Sequence, residues 1–204
     1  TGFVNNIILR SIAAGKDFTI TGLPNPLYAG NISWSPDDKK FAFTHTSASR
    51  VDLYVVDIAA KKAIKVNKTP LNLVTGGFQW YDNNTLLYRT TLKPATAAPP
   101  KPAMPKGPAT QENYGKASPR PTFQDLIKTP YDEQLYEFYA TTQLVKNVNG
   151  AETKIGQPAI YGMVSISPDK KYLMQRIIKK PFSYTVPANG FPSTVLITDM
   201  NGKT

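Results

Sequence analysis

Side chains able to do chemistry are sparse in this chain. It holds one histidine, His45, and no cysteine. Thiolate catalysis, disulfides and cysteine metal sites are excluded, and a site needing two imidazole ligands cannot be built. His45 lies in Phe41-Ala-Phe-Thr-His45, where bulky and small residues alternate as in a half-buried strand. It reads as a packing or surface histidine rather than a catalytic one. Asp37, Asp82 and Asp169 recur at matching places in three turns. That recurrence favours turn structure over paired acid–base work. No G-x-S-x-G elbow is present, nor a dinucleotide or P-loop glycine pattern. The aromatic and acidic run Tyr131-Asp-Glu-Gln-Leu-Tyr-Glu-Phe-Tyr139 reads as an amphipathic insert packed on its own domain, with a peptide groove as the functional alternative. The sequence therefore assigns no catalytic residue, no metal ligand and no cofactor.

The elements that must position these residues follow from a repeat. Ile32-Ser-Trp-Ser-Pro-Asp-Asp-Lys-Lys-Phe-Ala-Phe43, Phe78-Gln-Trp-Tyr-Asp-Asn-Asn-Thr-Leu-Leu-Tyr88 and Val164-Ser-Ile-Ser-Pro-Asp-Lys-Lys-Tyr-Leu-Met174 share one pattern. Each is an apolar strand, a turn and a second apolar strand. Proline presets φ for the turn, and the aspartate accepts from the N–H groups beyond it. The apolar residue before the turn, Trp34, Trp80 or Ile166, is expected to pack between blades. With strands near 31–35, 40–46, 51–58 and 63–66, the first copy makes four antiparallel strands, the content of a β-propeller blade. Trp34 to Trp80 is 46 residues, whereas Trp80 to Ile166 is 86. The excess of 40 marks an insertion, and eight prolines fall between Thr91 and Pro121. Thr122-Phe-Gln-Asp125 is expected to cap one short helix ending before Pro130. A strand over 137–146 and another over 152–155 would complete the second blade. Ile7–Ile12 and Phe18–Ile20 form an opening hairpin, and the third copy lacks a fourth strand.

The expected fold is all-β: a partial β-propeller, an arc of about three to four blades of four-stranded antiparallel sheets, two of them complete. The domain reading is one partial propeller over 1–204 with a Pro-rich insertion over 91–130. A closed ring needs ~4–8 blades. The raw ends of an arc would invite an edge-mediated dimer.

Composition narrows the partners. The chain has 204 residues, 41% hydrophobic and 19% charged, as a folded domain requires. The net charge is +10, from 24 basic and 14 acidic residues. The lysines are scattered through turns such as Lys39-Lys40, Lys61-Lys62 and Lys170-Lys171. They form no helix face or Arg-rich run, so nucleic acid is not expected as a partner. No apolar run approaches the ~20 residues of a membrane helix. The chain opens at Thr1 with no basic and apolar leader, and is expected to be a processed or excised piece whose targeting signal was removed.

A resemblance is carried by Pro105-Lys-Gly-Pro108, Arg120-Pro-Thr-Phe-Gln-Asp-Leu-Ile127, Tyr131-Asp-Glu-Gln-Leu-Tyr-Glu-Phe-Tyr-Ala-Thr-Thr-Gln-Leu144, Ile155-Gly-Gln-Pro-Ala-Ile-Tyr161 and Pro181-Phe-Ser-Tyr-Thr-Val-Pro187. In this order they resemble the glutamyl endopeptidases of the prolyl oligopeptidase family, from about Gly30 to Gly202. The resemblance implies an N-terminal propeller that gates a C-terminal α/β-hydrolase domain with a Ser/Asp/His triad. That domain would be the partner of this segment and peptides the substrate, with location in the periplasm or secreted space, or in the chloroplast of a plant. The triad has no counterpart here, so the segment alone should be inactive. A glutamate-preferring site needs a cation, for which Arg forms the best carboxylate fork. Arg120 and Arg176, with Tyr184 nearby in sequence to the latter, are the substrate-binding candidates. The alternative function is a stand-alone propeller-like scaffold that binds a protein or an anionic partner.

Overall fold

Strand alternation and the Ser-Pro-Asp turns organise the chain into four antiparallel sheets. The structure is a computed structural model that describes residues 3–103 and 126–203. An opening hairpin pairs β1 (Ile8–Ser11) with β2 (Lys16–Thr19). The first blade runs β3 (Ala29–Trp34), β4 (Lys40–Thr46), β5 (Val51–Asp57) and β6 (Lys62–Lys65) in order. The second holds β7 (Phe78–Trp80), β8 (Thr85–Thr91), β9 (Thr142–Val148) and β10 (Ala151–Ala159). The third has β11 (Tyr161–Ile166), β12 (Tyr172–Ile178) and β13 (Ser193–Asp199). Two blades are thus complete, and the described sheets form an arc rather than a closed barrel.

The core sits between the sheets, as propeller packing requires. Phe41, Phe43 and Val56 pack against Ile20, Leu27 and the hairpin's Leu9. Ala42 and Leu53 meet Leu86, Tyr88 and Val145 across the first joint between blades. Leu87, Leu144 and Ile155 meet Tyr161 and Leu173 across the second. Each fully buried apolar side chain contributes about 1.5–3 kcal/mol. The strand β4 departs from the sequence reading here. Its alternation suggests one buried face, yet Phe41 through His45 are all buried. The phenylalanines face the hairpin while Ala42 faces the second blade. Small residues therefore mark the tighter of two packed faces, not a wet one.

Trp34 is a second departure. Trp80 and Ile166 pack between blades as expected. Trp34 is 56% exposed and leans edge-on against Phe41, because among the described residues only the short hairpin covers that side of the first blade. The edges of that blade are nonetheless touched at their ends. Val4 and Ala29 exchange two backbone hydrogen bonds, and Thr21 bridges β6 through Lys61 and Ala63.

Among the described residues the helix lies later in the chain than expected. Thr122 and Asp125 lie outside the described residues, and 126–128 are not helical. The helix α1 spans Pro130–Ala140 instead, over residues expected in part as strand. Pro130 opens it rather than closing one before it, since N1 is the helix position that needs no N–H. Asp132 N–H donates to Thr129 Oγ1 at 3.2 Å, and Asp132 Oδ2 accepts from the Thr129 N–H at 2.9 Å. That is a capping box with aspartate in the acidic role. The whole segment from 92 to 141 joins two neighbouring strands, β8 and β9, whose seven-residue ladder is continuous from Thr85↔Val148 to Thr91↔Thr142.

Candidate functional site

The turn carboxylates are accounted for by the turns. Ser35 Oγ donates to Asp37 Oδ1 at 2.8 Å and accepts from the Lys40 N–H at 3.0 Å. Ser167 repeats this with Asp169 (2.6 Å) and the Tyr172 N–H (2.9 Å). Asp82 Oδ1 accepts from the Asn84 N–H. The serine hydroxyls hold the Asp37 and Asp169 carboxyls below the usual carboxylate range. The next residue in each turn, Asp38 or Lys170, takes a left-handed φ of 58° or 60°. His45 is buried between Tyr28 and Tyr54, and its Nδ1 accepts from the Tyr28 N–H. Among the described residues its one side-chain hydrogen bond is to that N–H, and no hydroxyl bonds it.

Arg176 and Tyr184 flank α1. Arg176, on β12, donates from Nη1 to Asn189 O at 3.2 Å. Its Nε is buried with no hydrogen-bond partner among the described residues. Its charge acts on Tyr136 of α1, whose hydroxyl is buried with no partner among the described residues and whose titration is pushed up by burial. The Tyr136 ring stands edge-on to Phe182 (5.0 Å) and Phe191 (5.5 Å), which stack on each other at 5.4 Å. With Ile160, Ile178 and Ala140 they form a fourth apolar cluster, which docks α1 beneath the third blade. Lys180 Nζ bonds Glu137 Oε2 at 2.6 Å across the same contact. Tyr184 is 39% exposed beside the first turn of α1. Partial desolvation and then Glu133 and Asp132 raise its titration. Arg176 and Tyr184 thus meet the helix at different turns, and no hydrogen bond or cation–π contact among the described residues joins them to each other. Arg120 lies outside the described residues.

Sequence reasoning passed over Arg89. The turn bonds Tyr81 N–H to Thr85 O and Ser167 N–H to Tyr172 O align Thr85 with Tyr172. Counting along β8 and β12 then aligns Arg89 with Arg176, and the corresponding place on β4 is Thr44. The register was available from the repeat itself. Burial was not, and Arg89 is only 6% exposed. Its Nη1 donates to Thr75 O at 2.7 Å, and its Nε has no partner among the described residues. Desolvation pulls its titration down, partly offset by the Tyr161 hydroxyl.

One further feature bears on binding. A cavity of about 290 Å³ lies between the first and second blades. Hydrogen bonds across it tie the two blades together: Lys40 Nζ bonds Asn84 Oδ1 at 2.6 Å, and Trp80 Nε1 donates to Ser33 O at 3.2 Å. Among the described residues, no group of three or more histidines or carboxylates gathers to hold a metal. No described helix is long and apolar enough to cross a membrane.

Comparison with known proteins gives two curated relatives in plants. The chain is 34% identical over 214 aligned residues to a probable chloroplastic glutamyl endopeptidase of Oryza sativa subsp. japonica, and this covers 100% of the chain. It is 34% identical over 213 to the probable chloroplastic glutamyl endopeptidase of Arabidopsis thaliana, again across 100% of the chain. The chain spans 23% and 22% of the lengths of these relatives. No family model matches the chain. Among solved structures, TolB from Acinetobacter baumannii aligns with a TM-score of 0.46 at 16% identity, covering 98% of this chain and 36% of that one. Pyrococcus horikoshii acylaminoacyl peptidase aligns with a TM-score of 0.34 at 14% identity, covering 96% and 33%.

Proposed function

The chain belongs to the glutamyl endopeptidase-like peptidases of the prolyl oligopeptidase family, and from that premise we propose that it is a propeller segment that gates a serine peptidase and guides its substrate. The observation that carries this reading is the match along the whole chain to relatives more than four times as long. The described residues hold a packed blade scaffold and no nucleophile beside His45. Chemistry is therefore assigned to an α/β-hydrolase domain elsewhere in the parent, and substrate selection to the propeller.

On this reading 1–204 acts as one propeller segment, with 91–130 inserted in its second blade. The substrates are peptides cleaved after glutamate. Arg176 and Tyr184, and Arg120 in the undescribed stretch, are the proposed contacts to substrate. The parent is exported in bacteria or housed in the chloroplast in plants. Met174, Val195 and Ile197 are exposed on the outer face of the third blade. That face supports docking of the parent's next blade, and in the isolated chain the same face would drive a dimer.

The test is hydrolysis of a quenched fluorescent peptide panel by the full-length parent and by the 204-residue chain. Cleavage after glutamate by the parent alone is expected. Cleavage by the short chain that survives replacement of His45 and its serines refutes the assignment. So does a parent that spares every glutamyl peptide.

A further inference from the structure

A second cavity, also about 290 Å³, lies between the edge strands β7 and β11 and is lined by Thr75, Gly76, Arg89, Gly162 and Met163, among others. The two strands are joined beside it by Gln79 Nε2 donating to Val164 O at 3.3 Å. Arg89 reaches it from β8. The guanidinium lies against Gly76, where a Cβ would overlap Nη1. Gly76 has a φ of +147°, a backbone conformation that L side chains rarely adopt. An arginine stays charged at any pH the protein meets and carries five donors. This one is buried and makes one hydrogen bond, to Thr75 O. No carboxylate pairs with it among the described residues. The hydroxyl of Thr75, in the same cavity, is also buried without a partner among the described residues. A buried unpaired cation is costly to the fold. Leaving donors idle beside a void of side-chain size makes sense when a ligand supplies the missing acceptor.

We propose that this cavity between the second and third blades is a carboxylate-binding site whose cation is Arg89, with the Thr75 hydroxyl as a second donor. The guanidinium Nε and the Nη not held by Thr75 present the forked pair that a carboxylate accepts from. The volume suits an acidic side chain or the free carboxyl end of a peptide. Arg176 occupies the equivalent register one blade on and donates from Nη1 to Asn189 O, but it does not line this cavity. The site goes beyond the peptidase reading, and its test needs no proteolysis.

The test uses the full-length protein labelled at arginine nitrogen, titrated with N-acetylglutamate α-amide, with N-acetylglycine and with sodium chloride at matched ionic strength. Arg89 Nε–H is expected to shift with one of the two carboxylates at a dissociation constant of ~0.1–10 mM, the strength of one or two charge-assisted hydrogen bonds. The first ligand reports a side-chain carboxylate and the second a terminal one. Arg89→Met should abolish the binding and Arg89→Lys should weaken it at least ~10-fold, while Lys65→Met, at an exposed lysine, should leave it intact. The unlabelled Arg89→Met protein should also melt no lower than the parent without ligand, since it loses an unpaired buried charge. If Arg89→Met does not fold, the Nε–H shift in the parent still decides. No shift with either carboxylate, an equal shift with chloride, or full binding by Arg89→Met overturns the proposal.

Discussion

Removing Asn147 should loosen the joint between the first two blades. Asn147 is 1% exposed. Its Nδ2 donates to Val66 O at 2.9 Å, just past β6, and to the Tyr88 hydroxyl at 2.8 Å. Its Oδ1 accepts from the Gly150 N–H at 2.7 Å. The Tyr88 hydroxyl donates onward to Glu152 Oε1, which also accepts from the Lys68 N–H. The network thus clasps the exit of the first blade to the second. Asn147→Ala strands the Val66 carbonyl and removes a donor from Tyr88, whereas the Gly150 N–H, in a half-buried turn, regains water. One buried and one part-buried bond at about 1 kcal/mol each, plus a small cavity, give about 2–4 kcal/mol of lost stability. Asn147→Asp should cost more at neutral pH, because a carboxylate would face two oxygens. Its folded titration would be raised, so the loss should shrink as pH falls toward the unfolded value near ~4. Urea unfolding of the 204-residue chain, followed by the fluorescence of Trp34 and Trp80, reads both. A loss below about 0.5 kcal/mol for Asn147→Ala refutes the clasp. Additivity with Tyr88→Phe within about 0.3 kcal/mol refutes its being a network.

Three further outcomes follow from the same geometry. Tyr136→Phe removes a buried hydroxyl that has no partner among the described residues, and should leave stability unchanged or raise it by up to about 1–2 kcal/mol in a denaturant titration. Thr129→Ala deletes the side-chain half of the capping box, and should cost about 1 kcal/mol and speed amide exchange across α1 relative to β12. The carboxyls of Asp37, Asp132, Asp169 and Asp199 all titrate below their ordinary 3.8. Their contribution is therefore present above that value and lost as pH falls through the lower folded ones, and the double variant Asp37→Asn/Asp169→Asn should flatten the acid limb of the melting-temperature profile.

The blades were legible because Ser-Pro-Asp turns and alternating strands are local signals. The turn bonds of Ser35 and Ser167 reproduce what proline and aspartate imply within five residues. The helix α1 was missed because Pro130 reads as a stop, although proline opens a helix as readily as it ends one. Thr122-x-x-Asp125 and Thr129-Pro130-x-Asp132 have the same form, and only docking of Tyr136 on Phe182 and Phe191, 46 and 55 residues away, shows where α1 packs. Trp34 failed as a blade-packing residue because packing depends on what lies opposite. Arg89 escaped notice for the same reason: its register was written in the repeat, but its burial is set by β11, which follows it by more than 70 residues.

The continuous β8–β9 ladder separates covalent from structural continuity. A backbone cut within 92–103 would leave one polypeptide carrying β1 to β8 and another carrying α1 and β9 to β13. Each would contribute two strands to the second sheet, and neither would own a complete blade there. Seven antiparallel rungs and the clasp from Val66 to Asn147 would hold them in register. The protein is thus built like a hinge with a removable pin. It can be divided at its insertion into two complementary halves, each needing the other to bury Leu87 and Leu144, and so it lends itself to a split reporter whose signal is reassembly of the second blade.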